Sequence, residues 1–157
     1  MAAEGYRVEL FVRGTVPPEV REHQERTVGE LQAIGDEYDV DVEVSHWPRE
    51  IPVEPVGAGE PYLDMLKTFR AWAHARGCSL APAVDTRRTY SWITAEQYVS
   101  VALPMVLLAV YDGDDIAGVY PHADGDEVAT VDDGIEALRE FCAGDRPVGR
   151  TALVTSD

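Results

Sequence analysis

Along the first third of the chain the apolar positions change their period twice. Tyr6, Val8, Leu10 and Val12 alternate with Arg7, Glu9 and Arg13, the two-residue period of a half-buried strand. Phe11 interrupts the polar side of that alternation, so the second face is expected to be partly covered as well. Thr15 to Pro18 then opens a helix, with prolines suited to a first turn. Val20, Val28, Leu31, Ile34 and Tyr38 fall on one helical stripe, with Thr27 beside them. Val40, Val42 and Val44 return to the strand period. Strand, long helix and strand predict a βαβ unit with two parallel strands and a right-handed crossover.

The segment from Pro48 to Pro61 is rich in Pro and Gly and reads as the main loop. A second amphipathic helix follows, its apolar face formed by Tyr62, Met65, Leu66, Phe69, Trp72 and Ala73, with Gly77 placed as a C-terminal cap. Leu80 to Trp92 reads as extended but irregular, Pro82 demoting its first half. Thr94-Ala-Glu-Gln97 fits a capping box and predicts a short helix to about Leu103, ended by Pro104. Met105 to Tyr111 is a continuous apolar run of strand length. The turns at Asp112-Gly113 and Asp124-Gly125 then space out strands at Ile116–Tyr120 and Glu127–Val131. These three strands form an antiparallel meander in this reading. Thr130 or Asp132 caps a closing helix with Ile135, Leu138, Phe141 and Cys142 inward. The predicted class is α+β: an N-terminal βαβ unit, a second amphipathic helix, a C-terminal antiparallel β-meander and a closing helix. One domain is expected over residues 1–144, with a mobile tail from Asp145 in which Ala152–Val154 offers an edge strand.

Charge changes the picture more than length does. There are 29 acidic residues against 13 basic ones, a formal net charge of -16. Lys67 is the only lysine, and there is no asparagine. A coat this acidic repels itself in dilute buffer. Near 1 M salt the Debye length falls to about 3 Å and the repulsion largely vanishes. The composition therefore points to a salt-accumulating cytoplasm, that of a haloarchaeon, rather than to an ordinary acidic protein of a GC-rich mesophile. The N-terminus lacks the basic and apolar regions of a signal peptide, and Val99–Tyr111 is too short to span a bilayer. A soluble, cytoplasmic protein is expected.

Candidate chemistry is sparse. His23, His46, His74 and His122 stand far apart and form no HxxxH or HxH pair, and Cys78 and Cys142 are isolated thiols. The acidic turns Asp112–Asp115 and Asp124–Glu127 lack the spacing of an EF-hand loop. Gly57-Ala-Gly59 lacks the third glycine of a dinucleotide fingerprint, and Glu60 sits where a phosphate would go. No GxSxG motif is present, so neither a cofactor nor a catalytic residue is predicted. The one local surplus of positive charge is Arg87-Arg88, followed by Tyr90 and Trp92. Arginines beside aromatics hold phosphates and stack on bases. In a strand, Arg88, Tyr90 and Trp92 share one face and Arg87 takes the other. The plainer reading pairs these arginines with neighbouring acids and lays the aromatics over the sheet.

Salt limits a nucleic-acid reading. Six phosphate contacts give a log–log salt slope of about -0.9 × 6, so a tenfold rise in salt costs about five decades of affinity. A brine-adapted DNA binder must lean on shape, base contacts and apolar burial.

Three stretches, Tyr6–Arg13, Phe69–Leu80 and Leu103–Gly113 running on through Thr130–Asp133, resemble a group of small haloarchaeal proteins labelled as helix-turn-helix domain proteins. The resemblance covers most of the chain in the same order and implies a link to transcription, without implying a catalytic or binding residue. The function expected is a non-enzymatic regulatory or interaction module. The alternative is a small-molecule sensor or enzyme whose pocket is lined by Trp47, Tyr62, Trp72, Tyr90 and Trp92, near His46, His122 or Cys78. A protein partner, or a homodimer through the apolar strand Met105–Tyr111 at the meander edge, is the further possibility.

Overall fold

The computed structural model describes residues 6–52, 60–81, 83–93 and 96–144. The strand-period segment forms β1 (Tyr6–Arg13), the apolar stripe forms α1 (Pro18–Tyr38), and the second strand is β2 (Asp41–Trp47). β1 and β2 pair in parallel, Val8 opposite Val42 and Leu10 opposite Val44. Then come β3 (Glu50–Pro52), α2 (Glu60–Ala75), β4 (Asp85–Ser91), β5 (Glu96–Ala102), β6 (Val106–Asp112) and β7 (Asp115–Tyr120). A short ribbon, β8 (His122–Asp124) with β9 (Glu127–Ala129), leads into α3 (Val131–Gly144).

The main sheet has the order β2-β1-β6-β7. Its period-2 strands explain how it is covered. Val8, Leu10 and Val12 of β1 and Val106, Leu108 and Val110 of β6 face Leu31 and Ile34 of α1 and Ile135 and Leu138 of α3. On the opposite face Phe11, Leu107 and Ala109 meet Leu66, Phe69 and Ala73 of α2, with Trp47, Ile51 and Val101. Phe11 is therefore a core residue of the second face, stacked on Trp47 with ring centroids 4.9 Å apart. The core thus fills both sides of one mixed sheet.

Four expectations change. Residues 96–102 form β5, not a helix; the start of the predicted capping box, Thr94, lies outside the described residues. A capping box is a local signal, whereas β5 is held by long-range pairing on both sides, to β4 and to β3. The β-branched Val99 and Val101 suit that setting. β3 in turn arises inside the predicted loop because Ile51, opposite Val101, is buried at 2% exposure. Its Pro52 is tolerated at the rim of the three-stranded sheet β3-β5-β4. The antiparallel run after Pro104 and the closing helix are present, but β9 pairs with β8 rather than with β7. The Met105–Tyr111 run is apolar because β6 lies between β1 and β7, inside the sheet, so it offers no free edge to a second copy.

Helix ends follow their sequence signals. Gly77, at φ 73°, lets Cys78 N–H reach Ala73 O and Gly77 N–H reach His74 O, closing α2 in a Schellman turn. Thr130 caps α3: Asp133 N–H donates to Thr130 Oγ1 and Thr130 N–H to Asp133 Oδ2, a reciprocal box. Leu138 and Cys142 are buried as read, whereas Phe141 is 40% exposed and stacks on Tyr6 at the rim. Gly57–Gly59 and the tail from Asp145 lie outside the described residues.

Candidate interaction surface

β4 is an outer strand of its sheet and carries Arg87, Arg88 and Tyr90 in alternation. The register places Arg87 opposite Ser100 and Arg88 opposite Val99. Thr86, on the Arg88 side, accepts a hydrogen bond from Arg70 of α2 at 3.2 Å, which ties the base of the ribbon to the helix. Arg87 and Arg88 are both exposed. Arg87 Nε lies 3.6 Å from Asp85 Oδ2, an open pairing on the same strand face. Arg88 has no ion pair among the described residues.

Beyond the strand the surface turns apolar. Tyr90 is 48% exposed, and its ring meets Trp92 edge-on with centroids 5.5 Å apart. Trp92 and Ile93 are 90% and 96% exposed. Two large apolar side chains thus stand almost wholly in solvent beside two arginines and do not cover the sheet. The four residues singled out in the sequence thus lie together on one outer strand and its tip.

A second polar feature lies at the end of β1, and the sequence gives no sign of it. Arg13, half-buried, shares the Phe11 side of β1 and donates from its guanidinium to Leu103 O. Leu103 N–H donates in turn to Arg49 O at 2.8 Å. Burial pushes the Arg13 guanidinium below the ordinary arginine range, and the charges of Arg49 and then Arg87 push it the same way. Its Nε is enclosed and has no acceptor among the described residues. Gln24, buried on α1, fixes the backbone beneath by donating to Arg13 O and Met105 O.

The proposed aromatic pocket does not form among the described residues. Trp47 is in the core against Phe11 and meets Tyr62 edge-on. Trp72 packs edge-on against His122, with Arg76 over its other side at 5.3 Å. Tyr90 and Trp92 stand apart on the ribbon. A cleft of about 410 Å³ opens between the end of α2 and the start of β4, lined by Arg70, His74, Cys78, Leu80, Asp85 and Thr86 among others. His46 is exposed on β2. Among the described residues no three His, Cys, Asp or Glu side chains gather to hold a metal ion, and no helix is long and apolar enough to cross a membrane.

The architecture defines an α+β protein with a mixed central sheet and an outer strand that bears arginines and aromatics. The family described as a helix-turn-helix domain matches residues 1–141, and the chain belongs to it. No curated protein and no solved structure matches the chain. Among the described residues no two helices follow each other across a short turn: β2 and β3 separate α1 from α2, and strands β4 to β9 separate α2 from α3. The exposed part of α1 carries Glu19, Glu22, Glu25, Asp36 and Glu37 against Arg21 and Arg26, a net negative surface.

Proposed function

We propose that this protein is a non-enzymatic regulatory module linked to transcription, working in concentrated salt, and that it contacts DNA through the β4–β5 ribbon rather than through a helix. One observation carries the reading: Arg87, Arg88, Tyr90 and Trp92 share an outer strand and its end, where Trp92 and Ile93 are 90% and 96% exposed. A two-stranded ribbon fits a major groove. Arginines on it meet phosphate or guanine, while an apolar tip wedges against base steps or stacks on unpaired bases. Such contacts survive salt better than a purely ionic surface does. Membership of a helix-turn-helix family supports the link to transcription.

The test is fluorescence anisotropy of short DNA duplexes selected from native DNA, at about 2 M KCl, where the Debye length is below about 3 Å. Trp92→Ala is expected to weaken binding about tenfold, within the range of one lost stacking contact, and Arg88→Ala to weaken it less. Absence of any bound duplex, with the fold intact, overturns the reading. A second reading, a protein partner, is favoured by the exposed Trp92–Ile93 pair on a chain of net charge -16. A native-salt pull-down that returns a Trp92-dependent protein and no nucleic acid selects it.

A further inference from the structure

We infer that the cleft between the end of α2 and the start of β4 is a binding site for a small organic monocarboxylate. This site is separate from the ribbon tip and from any contact with DNA.

Helix spacing and strand alternation decide which groups face the cleft. Arg70, Ala73 and His74 stand at i, i+3 and i+4 and so share one side of α2. Thr86 faces that side from β4, and its Oγ1 holds the Arg70 guanidinium at 3.2 Å. Buried Ala73, Leu80 and Val84 supply an apolar floor. The volume, about 410 Å³, falls within the roughly 300–1,000 Å³ of small-molecule sites.

The polar side chains of the wall are donors. Thr86 Oγ1 accepts from Arg70, and Ser79 Oγ accepts from Ala81 N–H at 3.1 Å, so each hydroxyl keeps its hydrogen for an occupant. Thr86 engages one nitrogen of Arg70, whose guanidinium carries five N–H bonds on an exposed side chain. Asp85, the carboxylate among the lining residues, alternates to the other side of β4, where it lies 3.6 Å from Arg87 Nε. The carbonyls at the end of α2 are also occupied: Ala73 O accepts from Cys78 N–H, and His74 O from Gly77 N–H. A wall of donors complements an occupant made of acceptors. A carboxylate offers two coplanar oxygens to the arginine fork. One arginine in a chain of net charge -16 suits a single negative charge better than a phosphate dianion. The apolar floor takes a short hydrocarbon body.

The probes are butyrate, its neutral counterpart butyramide, and methyl phosphate. Each is titrated into ¹⁵N-labelled protein at a constant ionic strength of about 1 M, where the net charge is screened. Butyrate is expected to shift the amides of Arg70, His74, Ser79 and Thr86 saturably, and butyramide to leave them in place. Arg70→Ala is expected to weaken butyrate binding about tenfold, the share of one charge-assisted hydrogen bond. Arg70→Lys, which keeps the charge without the fork, recovers part of it. Arg139→Ala, whose guanidinium pairs with Glu30 elsewhere, binds as wild type does. Cys78 gives a second readout, because it lines the cleft whereas Cys142 is buried. Butyrate is expected to slow alkylation of Cys78 by iodoacetamide, and to lose that effect in Arg70→Ala.

Equal responses to butyrate and butyramide reduce the cleft to an apolar hollow and overturn the carboxylate site. Undiminished butyrate binding by a folded Arg70→Ala overturns it as well. Binding of methyl phosphate without butyrate assigns the cleft to another anion and overturns it, as does the lack of a saturable response to all three probes. DNA binding by the ribbon stands or falls apart from each of these results.

Discussion

The ring of Tyr120 occupies the space a side chain at position 134 would need: a Cβ built on Gly134 falls 2.5 Å from Tyr120 Cδ1 and 2.7 Å from Cγ. The first turn of α3 is therefore seated directly on the end of β7. Gly134→Ala gains about 1 kcal/mol in helix propensity but forces a rigid ring to move, and overpacking costs about 1–3 kcal/mol. The ring sits against Gly118 as well, 2.8 Å from a Cβ built there, so it has little room to yield. A net loss of about 1–2 kcal/mol is expected in denaturant melts. In a Tyr120→Ala background the same substitution turns neutral or stabilising; an unchanged loss there would show that the ring is not the cause.

How far the fold is legible depends on whether its signals are local. β1, α1 and β2 each carry an unbroken period, and Phe11, the residue out of step, points to the second covered face. The turn glycine Gly77 and the Thr130 cap act within a few residues and are read without the rest of the chain. β5 is not: Thr94–Gln97 spells a helix start, and only pairing with β4 and β3 makes residues 96–102 a strand. The partner of β9 is equally invisible, since alternation fixes a strand and not its neighbour. The same division runs through the candidate surface. Arg87, Arg88, Tyr90 and Trp92 lie close together in the sequence and stand out, while Arg13 looks like an ordinary polar position until the end of β1 meets the carbonyl of Leu103.

Gln24 is a buried amide with a structural task. Its Nε2 donates to Arg13 O at 3.2 Å and to Met105 O at 3.0 Å, joining α1 to the ends of β1 and β6. Gln24→Ala removes this donor from both carbonyls, although Met105 O keeps the Arg13 N–H at 2.9 Å, so a loss of about 0.5–1.5 kcal/mol per hydrogen bond is expected. Gln24→Leu fills the volume but not the bonds, so it is expected to recover little. Recovery of wild-type stability by Gln24→Leu, measured by denaturant unfolding, would show that volume and not hydrogen bonding is what this position supplies.

Tyr111 predicts an alkaline limb of stability. Its hydroxyl donates to Glu9 Oε1 at 3.1 Å, and the Arg7 guanidinium lies 4.0 Å from its ring centre. Burial first, then the Glu9 carboxylate, pushes the phenol up to about 12, against the opposing pull of Arg7. The folded value lies above the unfolded one, near 10, so the neutral phenol favours the fold. That contribution is complete below about pH 10 and fades as pH rises to about 12. Ultraviolet titration of the wild type is expected to show a late-ionising phenol that Tyr111→Phe removes. In Glu9→Gln the remaining phenol ionises earlier, because a negative neighbour has gone.

Salt separates screening from the other effects of concentrated electrolyte. The Debye length falls from about 30 Å at 0.01 M to about 10 Å at 0.1 M and about 3 Å at 1 M. If repulsion within a chain of net charge -16 is what limits stability in dilute buffer, most of the gain in melting temperature arrives before about 1 M KCl. Exclusion of salt from apolar surface acts differently: it grows steadily with concentration and is stronger for sulfate than for chloride. Melting curves in KCl and in potassium sulfate at matched ionic strength distinguish the two. Coincident curves that level off mark screening, and diverging curves that keep rising mark apolar exclusion. Replacing Glu22 and Glu25 on the exposed side of α1 by glutamine lowers the repulsion directly. This variant is expected to melt higher than wild type in dilute buffer and to match it above about 1 M KCl. Equal melting of wild type and variant at every salt concentration would remove the electrostatic account of the net charge of -16.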